Sequence, residues 1–356
     1  MFLNKIVGAA RESLLEQLDQ YYRLGVSCLL LSPTIRSILE PALYNLSLVI
    51  PSSEGQCNDI SCNDGCILRE IVMLRFDFYD EVVDVKHFIF KKSVDTVLHL
   101  SLSPYQSVTL QYLTADCLVQ AAFMIVNSVH YFKHKYVYCL DRKICNMLKL
   151  SLQVGTIPHS LYLALYYHRT GRYNEALYIT NQTKRRLSEP HVMHNGMGDS
   201  YRYREYVSGL SLSKRIKNAW VLPIIFHPKI CYIEELTLEQ LAAFQHSRYL
   251  QIPPCVIVEM LSVLSHNRLG NRSQCLQSLT DLQTLMLYDD ERYVPLERRS
   301  ISWQILGICQ QVVGDLHGAL QSYEVSLKQE PFHFIQEATN SRIEWVKQQL
   351  QRDVDM

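Results

Sequence analysis

From Ser300 to Pro331 the chain reads SISWQILGICQQVVGDLHGALQSYEVSLKQEP, and this stretch constrains the fold more than any other. Apolar residues recur at helical spacing on both sides of Gly314. Gly314 can take the positive φ that ends a helix, and Asp315 is placed to cap the next one. Gly307 and Ala319 are small where two helices of a hairpin cross closely, while Trp303, Leu306 and Tyr323 fill the space around the crossing. Pro331 suits the first turn of a following helix. One hairpin cannot bury its outer face alone, so the pattern predicts neighbours.

Two further stretches repeat it. In residues 159–187, aligning Gly171 with Gly314 sets Leu163 on Leu306, Ala164 on Gly307 and Ala176 on Ala319, with Tyr167 as the aromatic of the first helix. In residues 255–285 the turn is Gly270 and the small position Cys275. All three resemble the tetratricopeptide (TPR) repeat. The turns are spaced unevenly and more widely than its period of about 34 residues. The expected fold is all-α: an irregular TPR-like, right-handed superhelical array over 105–356, preceded by an N-terminal helical segment, 1–104. Units lie near 159–187, 255–285 and 300–331, with an insertion at 188–250. Within the insertion, Thr237 is placed to cap LEQLAAFQHSRYL. A final helix, 332–351, carries Ile335, Ile343, Val346 and Leu350 on one face and caps the array. Residues 4–22, 23–48, 67–90 and 107–153 read as helical, and 51–66 as a loop.

Composition narrows the function. The formal net charge is zero, against the bias of a dedicated nucleic-acid binder, so nucleic acid is not an expected partner. Lys184, Arg185, Arg186, Arg202, Arg204, Lys214, Arg215 and Lys217 make one stretch locally basic; the plain reading is a solvated face, the other a phosphate-bearing partner. The cysteines number 11, an odd count. Cys28, Cys117, Cys139, Cys231 and Cys309 sit in apolar helical pattern, as reduced, buried thiols do. No signal peptide is visible, and the longest apolar run, Leu24 to Leu31, is too short to span a membrane. The expected location is cytoplasmic.

Catalytic and metal signatures are weak. Cys57, Cys62 and Cys66 share a loop with Asp59 and Asp64, but their spacing is not that of a zinc knuckle. His130 and His134 share a helix face without the glutamate of an H-E-x-x-H site. Ser52–Gly55 and Asp77/Asp80 only loosely match a nucleotidyltransferase turn and its metal carboxylates, which must lie on adjacent strands. No catalytic residue, metal or cofactor is assigned.

The first helix of each TPR unit lines the concave face of such arrays. That register points Leu161, Leu165, His168 and Arg169, then Ile301, Gln304, Ile308 and Gln311, into a groove. Leu, Ile and Gln there disfavour a carboxylate clamp and fit an apolar segment, or self-packing by the insertion. Residues 150–177, 229–236 and 292–323 further resemble the C-terminal helical region of invertebrate Mab-21-domain proteins, over about 105–345, without that family's nucleotidyltransferase-like domain. The sequence therefore predicts a non-catalytic protein-interaction scaffold with an unidentified protein partner. The alternative is an auxiliary helical region of a Mab-21-type protein whose catalytic domain is absent from this chain.

Overall fold

The structure is a computed structural model and describes residues 104–128, 134–246 and 249–354, together with Ile60 and Asp64. The helices expected at 4–22, 23–48 and 67–90 lie outside the described residues. So do Cys57, Cys62, Cys66, Ser52–Gly55, Asp77, Asp80 and His130. Within the stretch read as the 51–66 loop, Ile60 and Asp64 are helical.

Twelve α-helices dominate the described residues. The 107–153 stretch forms α1 (Pro104–Ser128) and α2 (His134–Val154). Next come α3 (His159–Arg169) and α4 (Tyr173–Leu187), then, within the insertion, α5 (Ser200–Val207), α6 (Leu212–Ala219) and α7 (Thr237–Gln245). The chain ends with α8 (Pro254–Arg268), α9 (Arg272–Tyr288), α10 (Arg299–Val313), α11 (Leu316–Lys328) and α12 (Gln336–Val354).

Local chemistry sets the hairpins. Gly171, Gly270 and Gly314 turn the chain at φ 76°, 72° and 94°, where a β-carbon is strained. Asp315 caps α11 by accepting the Gly318 N–H at 2.9 Å. At the α10–α11 crossing, a β-carbon on Gly307 would lie 2.4 Å from the Tyr323 ring, so only glycine fits against this fully buried tyrosine. The Cys275 thiol lies 3.4 Å from the Val263 carbonyl, an equally close approach of α9 to α8.

The hairpins α1/α2, α3/α4, α8/α9 and α10/α11 stack in that order, and α12 closes the row against α11. α8 packs on both α3 and α4, so the long insertion leaves the stack and returns without interrupting it. Two small sheets organise it. β1 (Met193–His194) pairs in parallel with β2 (Trp220–Val221), and β3 (Ile224–Phe226) pairs antiparallel with β4 (Leu250–Ile252), Ile225 opposite Gln251. Their residues are buried, as expected of short apolar strands covered on both faces.

One continuous core runs from Phe123 of α1 to Val346 of α12 and takes in Phe226, Tyr232, Leu236 and Leu250 of the insertion. A smaller core joins Val108 and Tyr112 of α1 to Tyr203, Ile216 and Trp220.

Three expectations are corrected. Pro331 does not begin α12; it opens a turn in which Phe334 takes φ 55° and the buried His333 accepts the Gln251 N–H of β4 at 3.1 Å. That contact holds the chain off the stack until Gln336. Thr237 is the first residue of α7 rather than its cap, because a 3-10 turn, Glu234–Leu236, feeds straight into the helix. Of the cysteines expected to be buried, Cys309 is buried, Cys117 and Cys231 are half-buried and Cys139 is exposed, while Cys28 lies outside the described residues.

Candidate interaction surface

The residues expected to line a groove do not face open space. Leu161, Leu165, His168, Ile301, Gln304 and Ile308 are all buried. Arg169 and Gln311 are half-buried. The cause is the insertion, which lies against the first helices of the hairpins. Tyr162 of α3 donates its hydroxyl to the Ile225 carbonyl and accepts the Ile225 N–H, both at 3.0 Å. Arg169 donates to the Cys231 carbonyl. Phe226 stacks on Tyr232 with centroids 4.6 Å apart, and Tyr232 lies 4.7 Å from Phe123.

A buried polar lock fixes the other end. Gln304 of α10 donates to Glu239 Oε1 of α7 at 2.7 Å, and Arg342 of α12 grips the same carboxylate at 2.5 and 3.0 Å. Glu239 is fully buried. A carboxylate in such a place is tolerated only with a bidentate partner and further donors, and it has both.

Two clusters have the composition of acid–base sites. His168 Nδ1 lies 3.0 Å from Ser265 Oγ, and its Nε2 lies 4.0 Å from Glu235. Burial pushes the Glu235 carboxyl up, but the His168 contact, a backbone N–H and the Arg268 charge together outweigh it and hold the group below the usual range. Ser265 is fully buried in the body of α8, so no substrate carbonyl reaches its hydroxyl. In the second cluster the Thr156 N–H donates to His159 Nδ1 at 3.0 Å. In the neutral ring this leaves the proton on Nε2, 3.3 Å from Asp116. His159, Asp116 and Thr156 are also buried. Both clusters tie elements together, and Ser265, His168 and His159 are all buried. Among the described residues there is no group of three or more His, Cys, Asp or Glu able to hold a metal, and no helix long and apolar enough to cross a membrane.

No protein-family model, curated protein or solved structure matches this chain.

Among the exposed apolar side chains, three fall in a row on one helix. On α7, Leu238, Leu241 and Phe244 are 47%, 51% and 44% exposed. Their spacing of three sets them along one stripe of the helix, while Glu239, Gln240, Ala242 and Ala243 form its buried face. α12 packs against α7 and exposes Trp345 by 45%. The signal for this stripe was in the sequence: LEQLAAFQ is apolar on more of its circumference than one buried face requires.

The basic stretch divides. Lys184 pairs with Glu259 at 2.7 Å and Asp281 at 2.9 Å, and burial leaves the Glu259 carboxyl raised despite the lysine. Arg215 holds the buried Asp64 in a fork at 2.8 and 2.7 Å, and Tyr203 donates to the same carboxylate. Arg202 pairs with Asp199 at 3.4 Å. Arg185, Arg204 and Lys214 are exposed, and Arg186 and Lys217 are half-buried.

Proposed function

We propose that the chain is a non-catalytic protein-interaction module built from TPR-type hairpins, and that it receives an apolar helical segment of a protein partner along α7 rather than in an inner groove. The α7 stripe carries the reading. Three large apolar side chains at helical spacing remain in water, although Ala242 and Ala243 beside them are buried. An apolar strip of this kind on a helix of fixed position matches the way amphipathic helices are recognised. The insertion supports the same view, since it already occupies the face that the first helices offer.

The test compares the intact chain with Leu241→Glu/Phe244→Glu and with Leu287→Glu, which alters another exposed leucine. Both changes are at exposed positions and should leave stability within about 0.5 kcal/mol. Proteins retained by the intact chain and by Leu287→Glu, but lost from the α7 variant, are expected. Identical retention by all three contradicts the α7 reading. Light scattering of the purified chain identifies a second copy as the occupant if mass rises with concentration and the α7 variant stays monomeric.

A second reading makes this body the auxiliary helical region of a Mab-21-type protein. One observation favours it: the stretches that carry the resemblance, 150–177, 229–236 and 292–323, contribute to a single continuous core.

A further inference from the structure

The smaller core carries a socket for one carboxylate, and a residue far away in sequence fills it. Arg215 of α6 supplies a guanidinium fork and Tyr203 of α5 a hydroxyl. Trp220 of β2 fixes that hydroxyl by donating its indole N–H to it at 2.9 Å. The two rings meet edge to face, centroids 6.0 Å apart at 83°. Both are buried and share the smaller core with Val108, Tyr112 and Ile216. The donors therefore come from three elements and are held in place by packing.

Asp64 is the occupant. It is fully buried, and its two oxygens accept from Arg215 Nε at 2.8 Å and Nη2 at 2.7 Å, with the Tyr203 hydroxyl as a third donor. Ile60, one helical turn earlier, is exposed, so Asp64 is the inward side chain of a segment at the surface. The Asp64 contact is the largest effect on Arg215 and raises its basicity. Burial first, then Asp64, pushes the Tyr203 hydroxyl well above its usual range, so it stays a donor. Without this acid, a half-buried guanidinium and a buried hydroxyl lose their shared acceptor, which is costly. The charge of the chain is divided in the same sense: residues 1–103 have an excess of acidic side chains, and residues 104–356 an equal excess of basic ones.

We propose that the face formed by Tyr203, Arg215 and Trp220 is the docking site of the chain's own N-terminal segment, and that Asp64 is the latch that holds the segment there. A fork-to-carboxylate pair fixes position as well as charge, which suits one carboxylate anchoring a segment more than 130 residues away in sequence. The latch is local. The smaller core is separate from the continuous core of the hairpins, so it can open without unfolding the stack. This docking goes beyond the protein-interaction reading and does not depend on it.

Native cysteines read the docking. Cys62 and Cys66 each stand two residues from Asp64, Cys139 is exposed on α2, and Cys309 is buried in the main core. The folded chain is alkylated with iodoacetamide, and the rate at each thiol is followed by mass spectrometry. In the intact chain Cys62 and Cys66 are expected to react more slowly than Cys139. Arg215→Gln and Asp64→Asn are each expected to speed Cys62 and Cys66 by about tenfold or more, the loss of a charge-assisted hydrogen bond, while Cys309 stays protected. Lys214→Gln, which removes the exposed cation beside Arg215, is expected to change none of these rates. Cys62 and Cys66 as reactive as Cys139 in the intact chain overturn the latch, as do unchanged rates in both latch variants. Cys309 opening together with Cys62 and Cys66 in both variants overturns it as well, because the segment would then leave only with the whole fold.

Discussion

Gly307 and His194 show how much a single position decides. Gly307 is required because the Tyr323 ring occupies the space of a β-carbon. That requirement was readable in the sequence, since Ala164 stands at the same register of the 159–187 unit. His194 was not readable. It sits in β1, its Nε2 2.9 Å from the Leu187 carbonyl and its ring edge-on to Tyr293 at 4.7 Å. Burial is the largest effect on it and depresses the imidazole from 6.5 to about 4. The sign follows directly. The unfolded chain takes up the proton first, so stability is complete above about pH 6.5 and is lost as pH falls toward 4, by as much as about 3 kcal/mol. Urea unfolding at successive pH values should show that loss. His194→Gln, which can still donate to the Leu187 carbonyl, should flatten it; equal slopes in the two proteins would remove His194 as the cause.

The hairpin helices were legible as elements because their signals are local: a glycine turn, a small crossing residue and an apolar period, all within about 30 residues. The insertion was not. Its strands are two or three residues long, too short for a period, and its fixing contacts are long-range. Glu239 is the clearest case. In sequence it is one acid in a short helix; in the structure it joins α7, α10 and α12. Gln304, read as a groove residue, is instead its donor. Removing Glu239 alone leaves the half-buried Arg342 with its charge uncompensated, so Glu239→Ala should cost about 3 kcal/mol. Glu239→Leu/Arg342→Met, which removes both charges, should cost clearly less. A double variant as unstable as the single one would show that packing, not charge, dominates this joint.

For the whole molecule, the stack of hairpins and the insertion form one body with one main core. The apolar segments WVLPIIF and KICYIEEL hinted at this, since neither is polar enough to lie in water. Which face they cover depends on the stacking of all the hairpins, and no local pattern encodes that. The consequence is a closed inner face, and the partner proposed for the α7 stripe would bind from the outside. Native-state hydrogen exchange followed by mass spectrometry tests this most directly. If the insertion is part of the core, amides of β3, β4 and α7 open only with the same free energy as those of α8 and α10. Exchange of the insertion orders of magnitude faster than α8 and α10 would mean it is a flap over an open groove, and the account of a closed inner face would be wrong.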